Sequence, residues 1–361
     1  MMKIGPHIIG SFSHMLDTIE QWQPAVALVM DPSPDSILAL RKRVPDITII
    51  GRIFIPDAQV ESLIRSIGWQ AAGKIAIDHD LLGKMRSMPN VDFWQVNNEI
   101  LQRFPSDIEL LSDFSCAWMD IIRRYTSDLG DQTRAAIGGF SVGQPHIPSS
   151  YPMQYWDAFD SALSMAASDG HLLLLHAYGA PTMDQPSPGW YLHRFEERVW
   201  PNLPSGIKGT LRYVYGEYGI DGGAMGASTA KQGWRLFTDS KGYMGQIAQA
   251  EIRLREFPAC LGACLFTCGR FGDWESFDIW PEVAKMIANW SRDNPYMEKP
   301  EPEQPISELA ELAEACRWYS EEITRLVEGG NTELARRLLI EILTPNLYAL
   351  EDRLKGIAPP A

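Results

Sequence analysis

Two glutamates close strand-like, aromatic-rich runs of this chain. One run is Phe93-Trp94-Gln95-Val96-Asn97-Asn98-Glu99, the other Tyr213-Val214-Tyr215-Gly216-Glu217-Tyr218-Gly219. A lone glutamate in such a place usually caps a helix or faces water. Two that converge on one bond suit glycoside cleavage. One must be protonated to donate to the leaving oxygen, while the other must be ionised to attack the anomeric carbon. Carboxyls about 5–5.5 Å apart permit that attack with retention, and roughly 6.5–9.5 Å leaves room for a water and gives inversion. Short-range repulsion between the two also separates their pKa values. His176-Ala177-Tyr178 adds two polar groups to an apolar run, where both could equally be satisfied core residues. Other chemistries lack their signatures. There is no Gly-x-Ser-x-Gly elbow and no His-Glu-x-x-His, and His146, His193 and Asp78-His79-Asp80 show no metal spacing. The Gly-rich stretch 219–226 has no Walker lysine and reads as a mobile rim loop beside Glu217.

The glutamates converge only if the fold brings them together. Apolar, β-branched segments recur at 4–10, 25–30, 47–54, 92–99, 135–142, 171–178, 211–217 and 262–268. Helix-like stretches lie between them at 36–43, 58–70, 107–129, 155–167, 190–200, 231–257 and 281–290. Strand alternating with helix implies parallel strands and right-handed crossovers. Continuously apolar strands such as His171-Leu172-Leu173-Leu174-Leu175 imply burial on both faces. Eight such units fit an α/β fold of the closed (β/α)8 TIM-barrel type, with its active site at the C-terminal strand ends. The alternative, a doubly wound sheet, would want a Gly-rich turn after the first strand, and Gly5-Pro6-His7-Ile8-Ile9-Gly10 does not supply one. In the barrel, strands four and seven face each other across the mouth.

With these positions the sequence resembles the clan A glycoside hydrolases, the retaining (β/α)8 barrels. The resemblance rests on Asn98-Glu99 at strand four and Glu217 at strand seven. It implies Glu99 as acid/base, Glu217 as nucleophile and Asn98 as the partner of the sugar 2-hydroxyl. It further implies that Tyr178 and His176 end strand six beside the carboxylates, with Tyr178 orienting Glu217. Arg52 would lie near the nucleophile, and Trp274 is the nearest match to the strand-eight Trp that floors the reacting sugar. Where many clan members have Asn-Glu-Pro, this chain has Asn98-Glu99-Ile100. The implied enzyme cleaves an oligo- or polysaccharide by double displacement, without metal or cofactor. A non-catalytic carbohydrate-binding or scaffold barrel is the other reading, and a phosphate-using barrel enzyme a weaker third. The carboxyl separation discriminates, since beyond about 10 Å the enzyme reading fails.

Composition narrows the partners. Among 361 residues, 32 basic and 46 acidic side chains leave a net charge of −14, which argues against nucleic acid and against an anionic membrane surface. No apolar run is long enough to span a bilayer. Met1-Met2-Lys3-Ile4 runs directly into a strand, so no signal peptide is read and the cytoplasm is favoured, although lysis or non-Sec release would leave the same N-terminus. Twelve Trp and twelve Tyr fit a surface that stacks on sugar faces, with Trp22, Trp69, Trp118 and Trp290 expected in helical or peripheral packing. Cys260, Cys264 and Cys268 read as small hydrophobes of a buried strand, not as metal ligands.

The composition changes after the barrel, taken as 1–293. A Pro- and Glu-rich linker occupies 294–305. Then Leu309, Leu312, Cys316, Tyr319, Ile323 and Leu326 form a heptad seam, and the segment 306–361 reads as a helical hairpin. It could pack on the barrel's own helices or mediate self-association. Deleting 306–361 is therefore expected to keep hydrolysis of a small aryl glycoside per folded molecule. A lowered melting temperature would indicate packing on the barrel, and a light-scattering change from oligomer to monomer would indicate self-association. A truncated protein that stays folded but inactive would contradict the separability of the hairpin.

Overall fold

A computed structural model of the protein describes residues 1–129, 133–148, 153–185, 192–269 and 272–295, together with Thr324. All eight strand-like segments form strands: β1 (Ile4–Ile8), β2 (Val26–Met30), β3 (Thr48–Arg52), β4 (Phe93–Gln95), β5 (Arg134–Phe140), β6 (Leu172–Gly179), β7 (Arg212–Ile220) and β8 (Cys260–Cys268). They pair in sequence order, all parallel, and β1 closes on β8. This is the expected TIM barrel. Apart from 294–295 and Thr324, the expected linker and hairpin fall outside the described residues.

Strand burial explains the continuous apolar runs. Val26, Leu28, Ile50, Leu172, Leu174 and Val214 pack together as an interior cluster. Their neighbours Ala27, Val29, Ile49, Leu173, Leu175 and Tyr213 belong to the large cluster under the helices. Each strand is thus buried on both faces, which an open antiparallel sheet would not require. Cys260, Cys264 and Cys268 sit buried in β8 as free thiols.

The helices begin where their caps dictate. In α2 (Pro34–Arg43), Ser33 and Ser36 exchange hydrogen bonds as a capping box and Pro34 takes the first turn. The expected helix at 231–257 instead starts at Ser240, because Asp239 accepts the Gly242 N–H and caps α10 (Ser240–Leu254). The expected helix at 190–200 is only a π-turn, Phe195–Val199. Four helices absent from the sequence reading are α1 (Leu16–Trp22), α4 (Ala71–Asp78), α5 (Leu81–Ser87) and α9 (Ser205–Thr210). All are short, and a stretch of two turns carries little periodicity. Trp22 and Trp118 are buried as expected, but Trp69 is exposed.

The β1–β8 seam is fastened by a buried carboxylate. Glu251 of α10 accepts the N–H groups of Lys3 and Ile4 at 3.1 and 2.8 Å, and Arg255 Nε at 2.8 Å. Lys3 Nζ donates to the carbonyls of Phe257 and Cys260. Removing one partner of such a buried charged set costs about 3–5 kcal/mol, since the other is left uncompensated.

Three buried imidazoles set the response to acid. Burial holds His7, His171 and His193 down at about 4 from 6.5. Each is neutral in the folded chain where the unfolded chain binds a proton. Stability therefore falls as pH drops from 6.5 toward 4. His171 Nδ1 accepts the Ala135 N–H, and Asn can replace that acceptor. Urea titrations across this window are expected to show a shallower pH slope for His171→Asn than for the wild type. The difference at pH 4 is on the order of 3 kcal/mol. Equal slopes would contradict a neutral buried His171.

Candidate active site

Glu217 faces the barrel interior because β7 carries an extra residue. Val214 points inward, and Tyr213 and Tyr215 point toward the helices. Leu175 of β6 pairs with Tyr215, but the next residue, His176, pairs with Glu217. Gly216 is left over. A Cβ on Gly216 would lie 3.3 Å from Leu28 Cδ1, inside the barrel, so Gly216 and Glu217 turn the same way. Such a bulge re-aims the next side chain. Without it, simple alternation would send Glu217 outward. The bulge is held by His7 of β1, two strands away beyond β8, whose Nδ1 is 3.0 Å from the Gly216 carbonyl. Since burial keeps His7 neutral, that nitrogen carries the proton and donates. Glu217 therefore lies within β7, which runs on to Ile220, and not at the strand end as expected. The Gly-rich stretch correspondingly begins as strand and continues as a short 3-10 turn, Gly222–Met225.

Glu99 is placed by a loop. Strand β4 ends at Gln95, four residues earlier than the sequence suggested. Glu99 and Leu101 both take left-handed backbone, φ 49° and 50°, a conformation that costs non-glycine residues about 1–2 kcal/mol each. The Glu99 N–H donates to the Gly139 carbonyl, and Asn97 Nδ2 donates to that of Gly138, each at 2.8 Å. Both glycines have positive φ. A Cβ on Gly139 would meet Gln95 and Asn97 at 3.1–3.2 Å, so this seat needs glycine. Gln102 staples the far side through Ser141 and the Glu99 carbonyl. The Gln95 amide donates to the Asn97 carbonyl and to Asn98 Oδ1.

These devices bring the two carboxylates together. Glu99, His176 and Glu217 each present an oxygen or nitrogen atom within 4.8 Å of the others. His176 Nδ1 is 2.8 Å from Glu99 Oε1 and 3.5 Å from Glu217 Oε2. The Tyr178 hydroxyl donates to Glu217 Oε2 at 2.9 Å. Arg52, the last residue of β3, holds Nη1 3.8 Å from Glu217 Oε1 and Nη2 3.7 Å from Asp57 Oδ1. The Glu99 side chain is 38% exposed, Glu217 13% and His176 1%, so Glu99 is the carboxylate that reaches the open mouth. The same three groups are close enough to offer ligands to one cation. Their lone pairs are instead met by the Tyr178 hydroxyl, the His176 ring and the Arg52 guanidinium.

Charge orders the protons. Burial opposes a charge on His176, but the Glu217 and Glu99 carboxylates outweigh it and raise its pKa above 6.5. Burial likewise pushes the Glu99 carboxyl upward, but the His176 hydrogen bond and charge, with Arg52, bring it below 4.5. The two carboxylates thus draw a proton toward His176, whose Nδ1 lies between them. Asp57 and Asp221 are both raised, first by burial and then by the charges of Glu99 and Glu217.

Of the residues chosen from sequence, Glu99, Glu217, His176, Tyr178 and Arg52 form one connected group, and Asn98 adjoins it. Trp274 stands apart. Strand β8 continues to Cys268, so Trp274 lies on the following 3-10 turn, Gly272–Phe277. The ring next to the site is Phe266 of β8, edge-on to His7 at 5.0 Å and to Tyr178 at 6.5 Å. Trp274 packs one ring farther out, 5.3 Å from Phe266. Sequence reasoning also missed His7, Asp57, Gln95 and Gln102. Only Gly138-Gly139, unusual inside a strand, signalled the seat of Glu99.

No family model and no curated protein matches the chain. Three similar solved structures share little with it. CJP38, a β-1,3-glucanase and allergen of Cryptomeria japonica pollen, aligns at TM-score 0.46 and 13% identity over 77% of this chain and 95% of that one. A GH128 (subgroup II) endo-β-1,3-glucanase from Pseudomonas viridiflava gives 0.41 and 12% over 82% and 98%. A GH2 β-galacturonidase from Eisenbergiella tayi, bound to galacturonate, gives 0.44 and 10% over 81% and 51%. These likenesses are faint and assign no family; what the chain does has to be read from the site itself.

Proposed function

We propose that the protein is a retaining glycoside hydrolase working by double displacement, with Glu217 as nucleophile and Glu99 as acid/base. The observation that carries this reading is the approach of the two carboxylates to within 4.8 Å. That approach agrees with the separation of about 5–5.5 Å used for direct attack and falls short of the roughly 6.5–9.5 Å of enzymes that activate a water nucleophile. It also weighs against the non-catalytic reading, because a scaffold has no need to hold two carboxylates against their repulsion.

The geometry supports a sequence of steps. A sugar entering the mouth removes water from Glu99, and burial already favours that carboxyl's neutral form. The proton comes from His176, one hydrogen bond of 2.8 Å away. Glu99 then protonates the leaving oxygen as Glu217, oriented by Tyr178 and Arg52, attacks the anomeric carbon. The bond between that carbon and the leaving oxygen breaks, and an ester forms at Glu217. In the second half, Glu99 takes a proton from water, whose oxygen displaces Glu217. No metal or cofactor enters the scheme, so hydrolysis is expected to be unchanged by a chelator, and its loss on chelation would contradict the scheme. Because the three groups share protons, a bell-shaped pH–rate profile belongs to the cluster and not to single residues.

Proton NMR of the first-formed sugar tests the reading directly. The anomeric configuration of the substrate is retained, and an inverted product would overturn the double displacement. Glu217→Ala is expected to abolish turnover with the fold intact. Added azide then restores cleavage of an activated aryl glycoside as the glycosyl azide of inverted configuration, whereas wild-type-like activity would refute the nucleophile.

Glu99→Ala is expected to lose about 10²–10⁴-fold on glycosides with poor leaving groups. The loss should be far smaller on an aryl glycoside whose leaving group needs no proton. Equal losses on both would contradict the acid/base role.

A further inference from the structure

Tyr213 and Tyr215 leave β7 on the helix side, away from the paired glutamates, and one buried carboxyl receives both. Glu196 Oε1 accepts the Tyr213 hydroxyl at 2.8 Å, and Glu196 Oε2 accepts that of Tyr215. Glu196 is 4% exposed and belongs to the π-turn Phe195–Val199. Phe195 and Val199 are buried with it, and the Phe195 ring lies edge-on to Tyr213 at 4.9 Å. Turns of this type are rare, and many lie at functional sites. His193 Nδ1 stands 4.0 Å from Glu196 Oε2 without a hydrogen bond. Burial pushes the Glu196 carboxyl above 4.5, and the hydroxyls of Tyr215 and Tyr213 oppose that rise. The double displacement makes no direct use of this group, which lies on the far side of the strand from the reacting pair.

What Glu196 fixes is parity. Tyr213 and Tyr215 face the helices while Glu217 faces the interior only because Gly216 is surplus. Under strict alternation, a strand with Tyr215 outward turns Gly216 inward and Glu217 outward. A strand that brought Glu217 inward without the bulge would turn both tyrosines inward, onto the interior cluster of Leu28, Leu174 and Val214. Glu196 blocks that second arrangement by holding both hydroxyls, because a buried hydroxyl that loses its acceptor is costly. His7 blocks the first by holding the Gly216 carbonyl. We propose that Glu196 is a positioning residue for Glu217: by pinning Tyr213 and Tyr215 to the outer face of β7, it confines the extra residue to Gly216 and so aims the nucleophile. This rests on the glycosidase reading of Glu217 and adds to it a residue that never touches substrate.

The ring of His176 reports the aim of Glu217 without turnover. Burial lowers its pKa, the Glu217 and Glu99 carboxylates raise it, and Arg52 opposes them, so a Glu217 that turns away lets it fall. An NMR titration of the ring nitrogens compares the wild type with Glu217→Gln, which calibrates the lost charge, and with Tyr215→Phe, Glu196→Ala and Glu196→Gln. Tyr215→Phe keeps the ring and leaves Glu196 in place. It is expected to move the His176 pKa toward the Glu217→Gln value, and Glu196→Ala to do the same. Glu196→Gln retains one acceptor oxygen and should recover most of the wild-type value. On an aryl glycoside, kcat should fall about 10- to 100-fold in Tyr215→Phe and Glu196→Ala, since a misplacement of about 1 Å can cost 10²-fold, with KM little changed. Wild-type titration and kcat in folded Tyr215→Phe and Glu196→Ala would overturn the proposal. So would a Glu196→Gln that behaves like Glu196→Ala, because the effect would then be lost charge and not a lost clamp. If Glu196→Ala does not fold, Tyr215→Phe decides alone. A wild type that hydrolyses no glycoside would overturn the glycosidase reading, while the His176 titration still decides whether Glu196 aims Glu217.

Discussion

Two carboxylates held within 4.8 Å at the mouth of a barrel repel each other. At an effective dielectric constant of 20, two unit charges that close cost about 3 kcal/mol. Most of what surrounds them answers this cost. His176, almost wholly buried, places Nδ1 between them. Tyr178 donates to one oxygen of Glu217, and the Arg52 guanidinium stands beside the other. The charge of each carboxylate is what raises the pKa of His176 against its burial. Neutralising one carboxylate, as ester formation on Glu217 would, weakens the hold on a proton there. The electrostatic arrangement and the chemistry assigned to it are therefore the same interaction seen at two moments.

The backbone bears a second cost to make that approach possible. A parallel strand with strict alternation cannot present both the tyrosines of β7 to the helices and Glu217 to the interior. One surplus residue, Gly216, changes the parity, and His7 of β1, two strands away, fastens its carbonyl. On the other side, Glu99 and Leu101 accept left-handed backbone, and the carbonyls of Gly138 and Gly139 receive the loop. These irregularities lie toward the C-terminal ends of the strands. The apolar interior and the Glu251–Lys3 fastening of β1 to β8 supply the rigid frame against which they are held. Local strain of this kind persists only where surrounding contacts over-determine it.

Arg52 links the reacting pair to the rim. Its guanidinium lies between Glu217 and Asp57, and its carbonyl receives Asp31 from the next loop. The residue that steadies one carboxylate is thus fixed through its backbone to the loop after β2, whose Asp31 also receives the Phe54 N–H.

The sequence by itself determined the barrel and the identity of its main chemical groups. Eight apolar runs with helical stretches between them admit few other closed arrangements, because each strand needs two buried faces. Glu99 and Glu217 were legible because each closes an apolar, aromatic run, and His176, Tyr178 and Arg52 followed only from the family resemblance those two glutamates carry. What the sequence could not determine was where those strands stop and which way their last residues point. Strand β4 ends before Glu99 and β7 continues past Glu217, since these limits depend on pairing with neighbours distant in the chain. The inward turn of Glu217 depends on register with β6. The place of Phe266 beside the site, where Trp274 was expected, depends on how far β8 runs. His7, Asp57 and Gln102 look ordinary in sequence because their partners lie 209, 5 and 39 residues away. Spacing along a chain reports local periodicity, whereas parity, register and proximity across a barrel exist only once the barrel has closed.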